Sequence, residues 1–254
     1  MAECVAIGVD IGSTTWKAVA IDAKGGVVAS KVENAEPLID KQTERVLSEM
    51  RAAHSISANV PVGATGYGRK RIKADRILTE ITCHAKGAFF LTKKPGVLVD
   101  IGGQDTKIIH VGDKGEVLDF AMNDKCAAGT GRFLEVILGR LHVPFGDIGQ
   151  FYKSADKAIP ISNTCTVFAE SEVISLVAQG EEIGEIVRGL HVSLASRVSA
   201  MAGRLQSANG IYMSGGVALN DSMVSALSDA FGKKIQVLDN PQLVGALGAA
   251  LSVA

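Results

Sequence analysis

The chain contains the stretch Val9-Asp10-Ile11-Gly12-Ser13-Thr14-Thr15-Trp16-Lys17, and ninety residues later it reads Val99-Asp100-Ile101-Gly102-Gly103-Gln104-Asp105-Thr106-Lys107. When residues 9–28 are aligned with 99–118 without a gap, eight of twenty positions are identical. Each copy predicts an apolar strand, a tight turn, a second apolar strand, a Lys-Gly turn and a third strand. A repeat of this length and register indicates that the protein consists of two related halves.

Each copy ends its first strand with an aspartate that is followed by a glycine turn. Such a turn offers backbone N–H groups and small hydroxyls, which suit phosphate oxygens. The carboxylates of Asp10 and Asp100 suit a hydrated Mg²⁺ ion, which prefers oxygen ligands and keeps several of its waters. The matched turns therefore predict a polyphosphate gripped from two sides. The alternative is a pair of ordinary β-hairpins with an aspartate at each turn.

The order of predicted elements defines the fold class. In both halves three meandering strands come first, and helices and crossovers follow, which predicts an α/β sheet with helices on both faces. Lys93-Lys94-Pro95-Gly96 separates the halves, so the predicted domains are 1–95 and 96–254. Apolar residues at helical spacing predict helices at 36–54, 75–90, 133–141, 167–179 and 183–203.

Composition excludes several classes of function. The 254 residues are 47% apolar and carry a net charge of −1, so electrostatics does not favour a nucleic-acid or anionic membrane partner. No apolar run approaches the ~20 residues that span a bilayer. The N-terminal residues show no basic region or cleavage site, and we expect a cytoplasmic protein. In that compartment the four cysteines are not expected to form structural disulfides.

Two of these cysteines share a setting. Cys126 lies in the glycine-rich segment 123–135 and Cys165 in the polar segment 161–170, and each segment leads into a predicted helix. The start of a helix favours the thiolate form. For either residue alone, a buried structural cysteine is the simpler interpretation. The adjacent Cys83 and His84 of helix 75–90 are interpreted as core and surface residues, because neighbours on a helix do not point at one metal.

A third glycine turn, Ser214-Gly215-Gly216, follows the strand predicted at 211–213. Two glycines without Cβ atoms let a flat ring lie on the backbone. In the company of two phosphate-binding turns, this turn is predicted to contact the nucleoside. Pro241 begins a closing helix that is rich in glycine and alanine, which implies close packing against a neighbouring element.

These turns together resemble the motifs of the sugar kinase/Hsp70/actin superfamily. The matching segments are Asp10-x-Gly12, Asp100-x-Gly102-Gly103, Ser214-Gly215-Gly216 and Gly245-Ala246-x-Gly248-Ala249-Ala250. The resemblance implies a duplicated actin/Hsp70-like, ribonuclease H-like fold. It also implies two domains with an ATP–Mg²⁺ cleft between them and a hinge closure driven by nucleotide.

A narrower resemblance lies in three longer segments, which are similar to the family of ATP-dependent activators of (R)-2-hydroxyacyl-CoA dehydratases. These segments are 100–105, 123–133 and 164–172. ATPase subunits of benzoyl-CoA reductase belong to the same family. The resemblance implies a homodimer with one bridging [4Fe–4S] cluster, held by Cys126 and Cys165 of each subunit. The chemistry agrees, since a cluster needs four thiolates and a two-fold dimer of this chain supplies two plus two.

The activity implied is an ATPase of anaerobic metabolism that couples hydrolysis to low-potential one-electron transfer. Ferredoxin or flavodoxin would be the donor, and an iron–sulfur dehydratase or reductase the acceptor. Asp10 and Asp100 would hold Mg²⁺ through waters, and Gln104 would orient the attacking water. Phosphate contacts are expected from Gly12, Ser13, Thr14, Thr15, Lys17, Gly102, Gly103 and Gln104. The adenosine site is expected to contain Gly215, Gly216 and, at the adenine edge, Gln242.

Two other functions share the predicted fold. A small-molecule kinase would need a general-base carboxylate and a larger substrate-binding insertion, and it would leave Cys126 and Cys165 without a purpose. Anaerobically purified protein would be colourless for a kinase and brown for an iron–sulfur protein. A filament-forming relative of actin would sediment in the presence of ATP.

Overall fold

The chain forms two compact units. A computed structural model describes residues 3–162, 165–203, 205 and 210–254. The first unit comprises the residues up to Pro95 together with 109–120 and 238–254, and the second comprises 96–108 and 121–237. The predicted domains 1–95 and 96–254 follow the repeat along the chain, whereas these units follow contacts in space. The C-terminal residues are therefore part of the first unit.

The first sheet has five strands in the order β3-β2-β1-β4-β5. Strand β1 pairs antiparallel with β2 and parallel with β4. The strands are β1 (Cys4–Ile11), β2 (Thr15–Asp22), β3 (Val27–Asn34), β4 (Val62–Thr65) and β5 (Arg76–Ile77).

The second sheet repeats this arrangement, because its order read from the other edge is β8-β7-β6-β9-β10. Strand β6 takes the central place of β1 and pairs parallel with β9. The strands are β6 (Gly96–Ile101), β7 (Thr106–Val111), β8 (Val117–Asn123), β9 (Ile211–Ser214) and β10 (Gln236–Val237). The shared order confirms the predicted duplicated α/β fold.

Eight α-helices are present in the described residues. They are α1 (Ile39–His54), α2 (Glu80–Thr92), α3 (Gly131–Arg140), α4 (Ile148–Ser154), α5 (Thr166–Ala178), α6 (Ile183–Ala202), α7 (Asp221–Phe231) and α8 (Val244–Ala250). Of the helices in this part of the chain, none combines the length and apolarity that a bilayer crossing requires.

Most predicted helices are confirmed, with one correction at α2. The helix predicted at 75–90 begins only at Glu80, because Arg76 and Ile77 form a short strand that pairs with β4. Thr79 then caps the helix, since its hydroxyl oxygen accepts a hydrogen bond from the Thr82 amide at 3.3 Å. The sequence did not predict helices α4 and α7.

The central strand β1 is buried on both faces, as the sequence predicted for a sheet covered by helices. Ile7 and Val9 join a core cluster that contains Val46 of α1. Ala6 joins a second cluster that contains Ala246 of α8. Helices on both faces explain why β1 is a nearly continuous apolar run instead of an alternating one.

The two copies differ in the connection that follows the third strand. In the first copy β3 ends at Asn34 and α1 begins at Ile39. In the second copy β8 ends at Asn123, and the last helix before β9 begins only at Ile183. The additional segment 124–182 contains α3, α4 and α5 and has no counterpart in the described part of the first copy. Both exposed cysteines lie in it.

Candidate nucleotide and cysteine site

The two aspartate–glycine turns have the same backbone geometry. The Gly12 amide donates to the Thr15 carbonyl at 3.0 Å, and the Gly102 amide donates to the Asp105 carbonyl at 2.9 Å. Each turn joins the first two strands of its copy. Ser13 and Gln104 are exposed at the two turns, where a phosphate or a water can reach them.

The aspartate that begins each turn forms an ion pair with a lysine on the neighbouring strand. Asp10 lies opposite Lys17 in the antiparallel register of β1 and β2, and Lys17 Nζ is 3.6 Å from Asp10 Oδ2. Asp100 has the same partner in the second copy, since Lys107 Nζ is 3.4 Å from its Oδ2. Lys17, a predicted phosphate contact, therefore also balances the charge of Asp10.

The second aspartate has further polar contacts. The Ser214 hydroxyl donates to Asp100 Oδ1 at 2.6 Å, and Lys107 Nζ also contacts Asp105 Oδ2 at 2.6 Å. The side chains of Asp100, Lys107 and Ser214 are all buried. Charge-assisted hydrogen bonds of this kind hold a carboxylate in one orientation.

The third turn needs a glycine for a conformational and a steric reason. Gly215 has φ of +88°, and a Cβ atom there would overlap the carbonyl oxygen of Ile101. Gly216 begins the 3-10 turn that follows. The structure thus brings this turn against the end of β6, next to Asp100. Gln242 lies in a 3-10 turn of the first unit, whereas Gly215 and Gly216 belong to the second.

The two candidate cluster ligands are exposed but differ in local structure. Cys165 is the N-cap residue of α5, as the sequence predicted for the start of a helix. Cys126 lies in a loop before the N-cap residue Thr130 of α3, so its predicted position at a helix start is wrong. Thr164, which belongs to the same sequence segment as Cys165, lies outside the described residues.

Asn123 organises the loop that carries Cys126. Its side-chain amide donates to the carbonyls of Cys126 at 2.8 Å and Ala128 at 3.0 Å, and its Oδ1 accepts from the Cys126 amide at 3.2 Å. Three hydrogen bonds from the Asn123 side chain, and not a helix, hold the backbone around Cys126. The Cys126 thiol is left free to contact a ligand at the surface.

This loop is also hydrogen-bonded to the second aspartate–glycine turn. The Gly131 amide donates to the Gly102 carbonyl at 2.9 Å, and the Arg132 amide donates to the Gly103 carbonyl at 2.8 Å. The buried Thr106 hydroxyl donates to the Gly129 carbonyl at 2.6 Å. Two bonds therefore join the beginning of α3 to the turn, and a third joins the preceding loop to the first residue of β7.

The other two cysteines are unsuited to bind a cluster. Cys4 and Cys83 are buried, and burial raises the pKa of both thiols, that of Cys83 to about 11. Thiolates are the ligands of iron–sulfur clusters, so Cys126 and Cys165 fit that role. Across the described residues no group of three or more His, Cys, Asp or Glu side chains could hold a metal ion. Among the described residues the exposed cysteines are two, half of the four thiolates that a [4Fe–4S] cluster normally takes.

A cation lies near the cysteine segment. The Arg197 guanidinium of α6 is 4.9 Å from the centre of the buried Phe133 ring. Burial lowers the pKa of Arg197, and the charges of Cys126 and Glu172 oppose that shift. Glu172 of α5 accepts hydrogen bonds from the Ser162 amide at 2.9 Å and hydroxyl at 2.8 Å. Arg197 therefore lies within electrostatic range of both the Cys126 loop and α5.

Sequence reasoning assigned no role to Lys107, Asn123 or Arg197. Lys107 had a usable signal, because it is one of the identities of the repeat and matches Lys17. Asn123 precedes a loop, where asparagine commonly bonds the backbone ahead of it. Arg197 lies on a long helix without any local pattern that separates it from a surface arginine.

The fold and the turns define the class of the protein. Two copies of one α/β arrangement, each with an aspartate–glycine turn after its central strand, are typical of actin/Hsp70/sugar kinase-like ATPases. A ROK family glucokinase from Streptomyces griseus shares this fold with a TM-score of 0.63 at 14% identity, over 97% of this chain and 98% of that one. At that identity the likeness concerns the fold alone.

The chain belongs to the BadF/BadG/BcrA/BcrD ATPase family, whose model matches residues 7–253. An activator of lactoyl-CoA dehydratase from Anaerotignum propionicum is 42% identical over 253 residues, 96% of this chain and 95% of that protein. An activator of 2-hydroxyisocaproyl-CoA dehydratase from Clostridium difficile, solved with bound ADPNP, has a TM-score of 0.90 at 40% identity and covers 98% and 93% of the two chains. Component A of (R)-2-hydroxyglutaryl-CoA dehydratase from Acidaminococcus fermentans has a TM-score of 0.91 at 39% identity and covers 97% and 96%.

Proposed function

We propose that this protein is an ATP-dependent reductive activator that delivers single electrons at low potential to an iron–sulfur partner enzyme. The partner is a 2-hydroxyacyl-CoA dehydratase or a related reductase, and ferredoxin or flavodoxin is the donor. The proposal is supported by full-length similarity to activators of three such dehydratases. It is also supported by two exposed cysteines in a segment that only one copy of the fold carries.

The nucleotide-binding part of the proposal assigns Mg²⁺-ATP to the three turns. Asp10 and Asp100 hold Mg²⁺ through water molecules, and the backbone amides and hydroxyls of residues 12–15 and 102–104 bind phosphates. Gln104 is exposed and carries an amide, which can orient the attacking water without taking its proton. Gly215 and Gly216 contact the adenosine, with Gln242 at the adenine edge.

The cysteine part of the proposal requires a homodimer. Cys126 and Cys165 of two copies would hold one [4Fe–4S] cluster, which would supply one-electron transfer. Val167 and Phe168 directly follow Cys165 and are both exposed. Apolar side chains next to an exposed ligand are suited to burial by a second copy of the chain.

One observation supports a coupling between the nucleotide-binding turns and the cysteine segment. The carbonyls of Gly102 and Gly103 accept hydrogen bonds from Gly131 and Arg132, directly after the Cys126 loop. A change in the turn when the γ-phosphate is bound or lost would be transmitted to the cysteine segment through these bonds. ATP hydrolysis would then make an uphill electron transfer irreversible.

Cysteine replacement tests the proposal. Iron and acid-labile sulfide are measured in anaerobically purified Cys126→Ala and Cys165→Ala proteins, with Cys4→Ala and Cys83→Ala as matched controls. We expect both exposed variants to lose cluster iron and to retain nucleotide binding, and both buried variants to keep the iron. Wild-type iron content in Cys126→Ala would contradict the ligand assignment. Anaerobic pull-down from the native organism then identifies the acceptor.

A further inference from the structure

His84 lies at a backbone contact between two helices of the first unit. A Cβ atom at Gly248 of α8 would overlap the carbonyl oxygen of Cys83, and a Cβ atom at Gly87 of α2 would overlap that of Val244. The glycines thus let α2 and α8 approach until their backbones touch. This contact holds the His84 side chain in the interior of the unit, where it is buried.

The imidazole of His84 and the carboxylate of Asp10 converge on one point at the surface of α8. That point is the position that a Cβ atom would take at Gly245. It lies 2.7 Å from His84 Nε2 and 3.0 Å from Asp10 Oδ2. Because both side chains are buried, they are neighbours in a space that glycine leaves open. The same carboxylate oxygen is 3.6 Å from Lys17 Nζ.

We propose that His84 is a positioning residue for Asp10, which holds this carboxylate in the orientation that Mg²⁺-nucleotide requires. The inference rests on the proposed role of Asp10 in binding Mg²⁺ through waters. Lys17 and His84 both lie on the Oδ2 side of the carboxylate, whereas Oδ1 lies on the side of Gly66. Outer partners of this kind orient a carboxylate and typically contribute 10–100-fold to metal affinity.

Gly245 is part of this arrangement of His84 and Asp10. A side chain at residue 245 would displace the imidazole, the carboxylate or both. The closing helix α8 therefore contributes to the nucleotide site indirectly, through the space that it leaves for His84. In the second copy the hydroxyl of Ser214 bonds Asp100 instead, from the strand position that Thr65 occupies in the first copy.

The test separates magnesium binding from folding. The affinity for ADP is measured by calorimetry on the full-length protein, with Mg²⁺ and with EDTA, for wild type, His84→Ala, His84→Gln and Gly245→Ala. His191→Asn is the matched control, because His191 is a fully buried histidine of the second unit. Circular dichroism establishes that each variant is folded.

We expect His84→Ala and Gly245→Ala to reduce the Mg²⁺-dependent gain in ADP affinity about 10-fold or more, with affinity in EDTA nearly unchanged. His84→Gln, whose amide can take the place of Nε2, should retain most of the gain, and His191→Asn all of it. An unchanged gain in His84→Ala, or an equal loss with and without Mg²⁺, would overturn the inference. If Asp10→Asn also leaves the gain unchanged, the proposed role of Asp10 fails, and the positioning role fails with it.

Discussion

Replacement of Lys107 by methionine should destabilise the second unit strongly. The side chains of Lys107 and Asp100 are each 3% exposed, and Lys107 Nζ lies 3.4 Å from one Asp100 oxygen and 2.6 Å from an Asp105 oxygen. Methionine keeps most of the length of the lysine stem, so the change removes charge and hydrogen bonds more than packing. Removal of one partner of a buried ion pair costs about 3–5 kcal/mol, because the remaining charge is left in the interior.

The repeat supplies a matched control for this experiment. Lys17 has the equivalent position in the first copy, but its side chain is 14% exposed and lies 3.6 Å from Asp10, whose side chain is 7% exposed. Water reaches this pair more easily, so Lys17→Met should cost less than Lys107→Met. The variant Lys107→Met/Asp100→Asn should regain part of the loss, because the neutral amide no longer leaves an unbalanced charge.

Urea unfolding followed by circular dichroism, without nucleotide, measures these differences. Nucleotide is omitted because binding to the folded state would add its own stabilisation. A loss below about 1 kcal/mol for Lys107→Met would place the pair in the range of surface ion pairs and refute the reasoning. The same conclusion would follow if the two single lysine variants lost equal stability.

Three further outcomes follow from individual contacts. Asn123→Ala should lower cluster iron while nucleotide binding persists, because three hydrogen bonds hold the Cys126 loop; full iron content would contradict this. Thr106→Val should keep iron but reduce electrons transferred per ATP hydrolysed, since its bond to Gly129 is lost; an unchanged ratio would exclude this link. Burial lowers the pKa of His191 from 6.5, so below pH 6.5 the unfolded chain takes up a proton before the folded protein does. Stability should therefore fall on acidification by up to about 1.4 kcal/mol per pH unit, and His191→Asn should flatten this slope in urea titrations; an equal slope would argue against it.

Features that depend on local sequence were predictable. The repeat predicted the three strands of each copy and the glycine turns, because strand patterns and turn conformations depend on residues that are neighbours in the sequence. The start of α2 was misplaced for the opposite reason, since the pairing of Arg76 and Ile77 with β4 is not local in the sequence. Short strands of this kind carry no reliable local pattern.

Contacts across long stretches of chain were beyond sequence reasoning. Ser214 and Asp100 are separated by 114 positions. The point at Gly245 that lies near both His84 and Asp10 belongs to α8, which returns to the first unit from the end of the chain. The glycines and alanines of the closing helix predict close packing, but they do not identify the element against which the helix packs. The interpretation of Cys83 and His84 as core and surface residues is wrong for the surface part, because both are buried, and it missed the proximity of His84 to a candidate Mg²⁺ ligand.

The duplication also explains why only one of the two turns is joined to the cysteines. In the first copy the Thr14 carbonyl accepts a hydrogen bond from the amide of Ala35, in the short connection that follows β3. In the second copy the carbonyls of Gly102 and Gly103 accept hydrogen bonds from the amides of Gly131 and Arg132, at the beginning of α3. Both copies therefore have a backbone bond between the turn and the connection after the third strand, but at different residues of the turn. Because the cysteine-bearing segment occupies the second connection, the proposed effect of nucleotide on the cysteines would pass through the backbone bonds at Gly102 and Gly103.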